Sequence, residues 1–525
     1  MERVRIKRGQ IAYFSDLQCK LAYNQHELSP FISQPFSKEA VLNQIEGRAT
    51  HYPNQNRKYL VDVIRSQYGE LSGDISSQLD LLLESNTFTV TTGHQLNLLT
   101  GPLYFIYKIV HAIKLAQELK ESYPMYNFVP IYWMASEDHD FEEINHFNLF
   151  GKKIEWYTAQ QGPVGLFDLD NWSSWQDELR TLFPNNLPQL DELFSVYKGA
   201  NLADATRNLV HHLFGQYGLV ILDATHPELK KLFRKTMAKE IMTNFSEKLV
   251  KETSSKLITA GIKPQVNPRP INLFFIEKGK RERLVLEEGR ISIPTLGSFS
   301  PLELIDLIDS RPELFSPNVV LRPLYQETIL PNIVFVGGGG ELAYWLQLKG
   351  VFEEIGQPFP LLNLRNSFQL IEKSHRDKLA KLSLSFEQLS DELEAIQKRY
   401  VLEHTANEID FSDINLMLDE IESNLKQKAT LIDQTLGPMI GSEMSRIGKV
   451  LESIKGRLVK AEKQKFAQEL GQIENLKHKL FPNNGLQERE LNFLPFYLQF
   501  GDEFIRTLID LSEPFNGDFQ SVSID

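Results

Sequence analysis

The chain has 525 residues, 42% hydrophobic and 24% charged, with a formal net charge of −13 and one cysteine. Its length supports two or three domains, and its acidic balance argues against a general nucleic-acid surface, which needs basic patches. No run of ~18 apolar residues marks a membrane span, residues 1–30 lack the apolar stretch of a signal peptide, and the lone Cys19 suits a reducing cytoplasm; the expectation is a cytoplasmic protein without membrane or nucleic-acid partners.

In chain order, residues 1–86 alternate loops with short amphipathic helices that would cover one face of a sheet. Phe88 and Val90 then mark a strand that runs into Thr91-Thr92-Gly93-His94, and from Leu96 to Lys120 apolar residues recur at helical spacing. A second buried strand, Phe128 to Met134, delivers Glu137, Asp138, His139 and Asp140. This strand-turn-helix-strand unit puts polar residues at the carboxyl ends of two strands, where open parallel sheets bind small ligands. Residues 151–202, with Gly162 and the Trp172–Trp175 segment, read as an insertion; the core resumes with the strand Leu219 to Asp223. A second insertion spans about 241–308 and holds a basic hairpin, FFIEKGKRERLVL, with Gly279 in its turn. Val319 to Arg322 reads as a strand end, and Ile333 to Val336 is a buried strand that runs into Gly337–Gly340 and a helix opening at Glu341. The strand Phe359 to Leu364 ends at Arg365. Strands alternating with helices predict an α/β, doubly wound core over 1–370.

Beyond residue 366 apolar positions step by three and four, from Leu379 to Tyr400, Ile414 to Leu425 and Met444 to Ala461. The heptad-like seam predicts an antiparallel α-helical coiled coil over 371–480, with its turn at Glu403 to Ser412 and a kink at Gly437-Pro438. A helical bundle packed within one monomer is the alternative. The tail, 481–525, is apolar enough to dock back on the core.

Three clusters could carry chemistry. At a strand-to-helix turn, Gly93 lets backbone amides approach a phosphate, and His94 could stabilise charge on a phosphoryl group; a turn glycine beside a structural histidine is the plainer alternative. Glu137-Asp138-His139-Asp140 reads as a general base, a site for a substrate amine, or a solvated helix start, and the ligand types fit zinc poorly. Gly337–Gly340 is either an anion cradle or a close strand–helix contact. Arg322 and Arg365 could each pair a carboxylate or phosphate bidentately, although structural ion pairs are the commoner fate of such arginines.

The segments TTGHQLNLLTGPLYFIYKI, PIYWMASEDHDFEEIN, LRPLYQETILPNIVFVGGGGELAYW and LFPNNGLQERELNFLPF occur in this order over residues 91–496. Together they resemble the BshC family, the cysteine ligase of bacillithiol biosynthesis, and TTGH alone is similar to the (H/T)xGH signature of class I synthetases and nucleotidylyltransferases. The resemblance implies a Rossmann-like core with connecting-peptide insertions and a coiled coil that mediates homodimerisation. It implies ligation of cysteine to the amine of glucosaminyl-malate, with ATP and magnesium in the superfamily manner activating cysteine as an adenylate. On that reading Thr91, Gly93, Gln95, Asn97, Gly338 and Gly339 face the nucleotide. His94, Asp138, His139 and Asp140 act in catalysis, and Glu137, Arg322, Gln326, Glu341 and Tyr344 bind substrate. No resident metal site is expected. The superfamily's KMSKS-like loop has no match; Lys278-Gly279-Lys280 is the nearest basic loop. A nucleotidylyltransferase and a non-enzymatic nucleotide-binding scaffold are the competing readings.

Overall fold

Five parallel strands form the central sheet of the computed structural model, which describes residues 3–277, 279–405, 410–433 and 435–524. They are β1 (Thr87–His94), β2 (Asn127–Met134), β3 (Val220–Asp223), β4 (Asn332–Gly337) and β5 (Leu361–Leu364), in spatial order β5-β4-β1-β2-β3. Both faces of this sheet are covered, so its strands are apolar almost throughout. The threonines of β1 are buried because their hydroxyls are satisfied inside the sheet: Thr91 Oγ1 donates to Asn332 Oδ1 (2.7 Å) and Thr92 Oγ1 to the Val336 carbonyl (2.9 Å). The strand order reverses at β1, with β2 and β3 on one side and β4 and β5 on the other. The carboxyl ends of β1 and β4 therefore flank a topological switch point, the usual ligand position in such sheets.

The crossover helix α1 (Tyr104–Ser122) follows β1, but it begins eight residues later than the apolar periodicity from Leu96 indicates. The chain first makes a turn in which Leu99 (φ 45°), Thr100 (φ 66°) and Gly101 (φ 64°) all lie in positive-φ conformations. Non-glycine residues there cost roughly 1–2 kcal/mol each. The tail holds the turn: Asn492 Nδ2 donates to the carbonyls of Leu99 (2.8 Å) and Gly101 (2.6 Å), and Leu103 N–H donates to Leu491 O (2.8 Å). A second departure is α2 (Arg322–Ile329), where a strand end was expected; Pro323 sits in its first turn, where a missing N–H costs nothing. After β4 comes the short helix α3 (Gly339–Trp345).

The first insertion begins before Gly151, with paired strands His146–Leu149 and Lys152–Glu155. Its helices Ser173–Leu182 and Leu187–Val196 enclose Trp156, Trp172, Trp175 and Tyr197, with Trp172 within 5.2 Å, ring centre to ring centre, of the other three. In the second insertion the expected hairpin forms from Leu273–Glu277 and Lys280–Arg283, with Gly279 at φ 72°. Phe315–Pro317 extends it as a third strand. A Cβ on Gly162 would lie 2.0 Å from the Gly279 carbonyl oxygen, so only glycine lets the first insertion close on the hairpin tip.

The helical region consists mainly of α4 (Leu393–His404), α5 (Ser412–Ile432), α6 (Leu436–Lys463) and α7 (Ala467–Leu480). The reversal falls between Ile432 and Leu436, not at Glu403 to Ser412; that stretch joins α4 to α5, and its residues 406–409 lie outside the described ones. Gly437-Pro438 does not kink an arm, because Pro438 lies in the first turn of α6, where it is tolerated. The base of the arm is a packed bundle: Ile396, Tyr400, Ile473, Leu476 and Leu480 share a core with Ile6, Ile371 and Phe519. The distal hairpin is thinner and leaves Leu416 (70%), Ile421 (50%), Ile447 (46%) and Ile454 (44%) exposed.

The tail docks as expected, and also as a strand: Phe519–Ile524 lies between Arg3–Ile6 and Phe368–Glu372. Beside it, His111 of α1 is buried; the Asn366 N–H donates to its Nδ1 (3.0 Å) and Nε2 lies 3.0 Å from the Asn363 amide nitrogen. Burial pushes the His111 pKa down to about 3. A depressed histidine stabilises the fold fully above its unfolded pKa of ~6.5 and loses that contribution as pH falls toward the folded value. At pH 5 the loss from His111 is expected to be about 2 kcal/mol. Urea denaturation at pH 7 and pH 5 should show it, and His111→Gln should remove that part of the pH dependence.

Candidate active site

A cavity of about 340 Å³ opens at the carboxyl ends of β1 and β4. Gly93, His94 and Gln95 enter from β1, Ala135 and Asp138 from beyond β2, and Gly338 to Glu341 with Tyr344 from α3. Arg322 and Gln326 come from α2, Lys108 from α1, Arg365 from beyond β5 and Arg489 from the tail; Trp133, Phe335 and Trp345 supply apolar wall.

The His94 ring packs against Tyr104 (5.3 Å) and Phe105 (5.2 Å), and its buried Nε2 has no hydrogen-bond partner among the described residues. Burial first, then Lys108 and Arg365, hold its pKa well below the usual 6.5. His94 is therefore neutral at physiological pH and offers a hydrogen bond rather than a charge. Lys108 Nζ pairs with Glu341 (2.5 Å) and donates to the Gly93 carbonyl (2.9 Å), while the Gly338 N–H donates to Glu341 Oε2 (2.9 Å). Glu341 thus caps α3 and ties it to α1 across the switch point.

Arg365 makes two bonds to Glu488 (2.9 and 2.7 Å), which also accepts from Ser367 Oγ (2.5 Å). This buried pair clamps the tail to the core and sets Arg489 beside the cavity. Arg365 Nε and Trp345 Nε1 are buried without partners among the described residues. Neither Arg322 nor Arg489 has a carboxylate within 4.0 Å among the described residues. Of the four glycines, Gly337 and Gly339 are required by packing, since a Cβ would lie 2.8 Å from Leu342 Cδ2 and 2.5 Å from Gln18 Cγ. A Cβ on Gly340 would meet nothing within 4 Å, and one on Gly338 would make only ordinary contacts with Glu341 Oε2 (3.5 Å) and Arg365 Nε (3.7 Å).

Asp138 Oδ2 accepts from Gln95 Nε2 (3.0 Å), and Arg281 Nη1 lies 3.8 Å from Oδ1. Burial raises the Asp138 pKa, but Arg322, Gln95 and Arg281 together bring it below the usual carboxylate value, so it is ionised. A smaller chamber shares Asp138 and Arg322 with the main cavity. There Glu137 pairs with the buried Lys230 (2.6 Å) and accepts from Ser316 Oγ (2.8 Å). Asp138, His139 and Asp140 offer ligand atoms within 4.8 Å of one another. Arg281 Nη1, 3.1 Å from His139 Nδ1, already supplies positive charge there.

The structure brings together Gly93, His94, Gln95, Asp138, Arg322, Gln326, Gly338, Gly339, Glu341 and Tyr344. Thr91 is sealed in the sheet, and Asn97 packs under the turn, its Cβ 2.8 Å from where a Gly101 Cβ would stand. Glu137 turns into the smaller chamber, and His139 and Asp140 are exposed outside the main cavity. Lys108, Arg281, Lys230 and Arg489 escaped the sequence reading. The signal for Lys108 was a cation inside the apolar run Phe105 to Ile113; that for Arg281 was the basic hairpin. Lys278 of that hairpin lies outside the described residues.

Sheet order and cavity together define a Rossmann-like protein with a cavity at its switch point and an appended coiled coil. Family models for bacillithiol biosynthesis BshC match it twice: the N-terminal Rossmann-like domain over residues 1–366 and the C-terminal coiled-coil domain over 368–524. A protein of Flavobacterium psychrophilum named "Putative cysteine ligase BshC" is 42% identical over 97% of each chain. A Flavobacterium johnsoniae protein of the same name is 40% identical over 98% of each, and one of Bacillus mycoides 29% identical over 85% of this chain and 86% of its own. A crystal structure titled "putative arginyl t-RNA synthetase" from Campylobacter jejuni covers 87% of this chain and 98% of its own at 11% identity, with a TM-score of 0.22 that adds nothing to the fold read from the sheet. The chain belongs to the BshC family of bacillithiol biosynthesis.

Proposed function

We propose that this protein is a ligase that joins the carboxylate of cysteine to the amine of glucosaminyl-malate, forming bacillithiol with ATP and magnesium. The names of its relatives support the reaction class. The observation that carries the reading is the convergence, in one cavity, of neutral His94, ionised Asp138 and two arginines, Arg322 and Arg489, without carboxylate partners among the described residues.

The cavity fits a polyphosphate. His94 Nε2 and Arg365 Nε are buried without partners among the described residues, and a Cβ on Gly340 would meet nothing within 4 Å. ATP, when bound, supplies the activation that a free carboxylate needs before an amine can attack it. The protein's own groups do the rest. His94 Nε2 holds an anionic oxygen by a hydrogen bond. Asp138, kept ionised and oriented by Gln95, takes the proton that the attacking amine must lose. Arg322 holds a carboxylate of the malate group. The aromatic walls limit water at the reacting carbonyl.

Thiol profiling of a strain lacking the gene tests this reading. Bacillithiol should vanish, glucosaminyl-malate should accumulate, and the wild-type gene should reverse both; an unchanged bacillithiol level contradicts it.

The partner of the distal hairpin is a second copy of this chain, joined along its exposed leucines and isoleucines. Thr405 Oγ1 donates to Glu462 Oε2 (3.2 Å), so a short glycine-serine linker can replace residues 406–461 and leave the bundled base intact. Light scattering should find that variant monomeric and the full chain dimeric. A dimeric variant would place the interface elsewhere.

A further inference from the structure

Beneath the cavity lies a buried polar cluster that the proposed reaction does not use. Glu327 of α2 is fully buried and receives Gln326 Nε2 (3.0 Å), Asn332 Nδ2 (2.7 Å) and Arg48 Nη2 (3.1 Å). Arg48 is also fully buried and donates further to the carbonyls of Glu327 (2.5 Å) and Leu330 (2.7 Å). Asn332 Oδ1 accepts from Thr91, so the cluster spans α2, β4, β1 and the helix Lys38–His51. Such a network is rigid because every member constrains its neighbours.

Its consequence reaches the cavity through Gln326. Glu327 Oε1 accepts from both Asn332 Nδ2 and Gln326 Nε2, which turns the Gln326 NH2 into the protein. Burial raises the Glu327 pKa to about 7 against the pull of Arg48, so the carboxylate form that only accepts prevails above that pH. The reverse orientation would set two acceptors against each other. Oε1 of Gln326 is left with no donor among the described residues, on a side chain that lines the cavity. Arg322 stands one turn earlier on the same helix face and lines the same cavity. Residues so spaced have Cβ atoms about 5–6 Å apart, so α2 presents a cation and a neutral acceptor side by side. That pair matches an anionic ligand that also carries an ammonium group.

We propose that Gln326 is a specificity determinant that accepts a hydrogen bond from the ammonium of an anionic ligand, and that Glu327 is the positioning residue that sets its amide. Two ligands of the proposed reaction share this chemistry, the amino acid and the amino sugar, and to that extent the inference rests on the ligase reading. A site built around such an acceptor rejects analogues that lack the donor, because the acceptor is then left unpaired.

Titration calorimetry on the full-length protein tests it with two pairs of probes. One pair is cysteine and 3-mercaptopropionate; the other is glucosaminyl-malate and its 2-deoxyglucosyl counterpart, in which hydrogen replaces the amine. The wild type should bind the ammonium-bearing member of one pair at least about 10-fold more tightly. Gln326→Met should bring that ratio close to one without weakening the amine-free member, and the pair that responds identifies the ligand facing Gln326. Glu327→Gln should reduce the same ratio, with thermal denaturation reporting whether it folds; if it does not, Gln326→Met alone decides. A wild type that discriminates in neither pair, an unchanged ratio in Gln326→Met, or equal weakening of both members overturns the proposal. Binding is read without turnover, so discrimination without bacillithiol synthesis would refute the ligase reading and leave this inference standing.

Discussion

Glu488→Ala is expected to lower stability by about 3–5 kcal/mol, the usual cost of stripping one partner from a buried ion pair. The carboxylate it removes accepts two bonds from Arg365 and one from Ser367, and nothing else among the described residues neutralises that guanidinium at contact distance. The damage should also be functional. Arg489, the next residue, should leave the cavity rim, and the segment at Leu491 and Asn492 that holds the Leu99–Gly101 turn should loosen. Urea denaturation gives the stability, and limited proteolysis should show faster cutting beyond residue 480. Arg489→Ala separates the two effects: activity should drop at least 10-fold while stability stays within about 0.5 kcal/mol, the range of ordinary surface changes. A Glu488→Ala protein as stable as the wild type would show that the tail is held some other way.

His94→Ala should reduce ligation by about 10²–10³, the usual cost of removing one group that stabilises charge in the transition state. Its melting temperature should move by only a few degrees. The ring makes no hydrogen bond among the described residues and is only partly buried, so its packing on Tyr104 and Phe105 is the main structural loss. Because His94 is neutral well below pH 6.5, the activity of the wild type should not track a histidine titrating between pH 6 and 8. A fall of ten degrees or more with activity retained would make His94 a packing residue.

Much of this was legible in the sequence. All five strands of the sheet were expected at or near their observed positions, because strands buried on both faces are written as apolar runs between turn residues. Asp138 and the glycines before Glu341 were found because they lie at or just beyond the ends of those strands, whereas TTGH, expected as a turn, forms the last four residues of β1, with Gly93 and His94 still paired to Trp133 and Met134. Errors arose where distant chain decides local structure. The helix after β1 starts at Tyr104 because Asn492, almost four hundred residues away, stabilises the turn before it. Arg489 reaches the cavity only through tertiary packing and no local pattern marks it, while Lys108 is marked only as a cation inside an apolar run. Thr91 belongs to the motif, but alternation sets it on the sheet face opposite His94, where its hydroxyl bonds Asn332. The coiled-coil seam was read correctly in kind, yet its reversal was misplaced because helical spacing continues on both sides of 405–411 and of 433–435.

The central claim is that this cavity joins cysteine to glucosaminyl-malate. Mass spectrometry of the purified full-length protein incubated with both substrates, ATP and magnesium tests it most directly. The account predicts bacillithiol with one AMP and one pyrophosphate for each molecule formed, and about 10²–10³-fold slower formation by His94→Ala. Bacillithiol with ADP would keep the ligase and replace the route of activation. Correctly folded protein that forms no bacillithiol would contradict the claim that the cavity performs this ligation unaided.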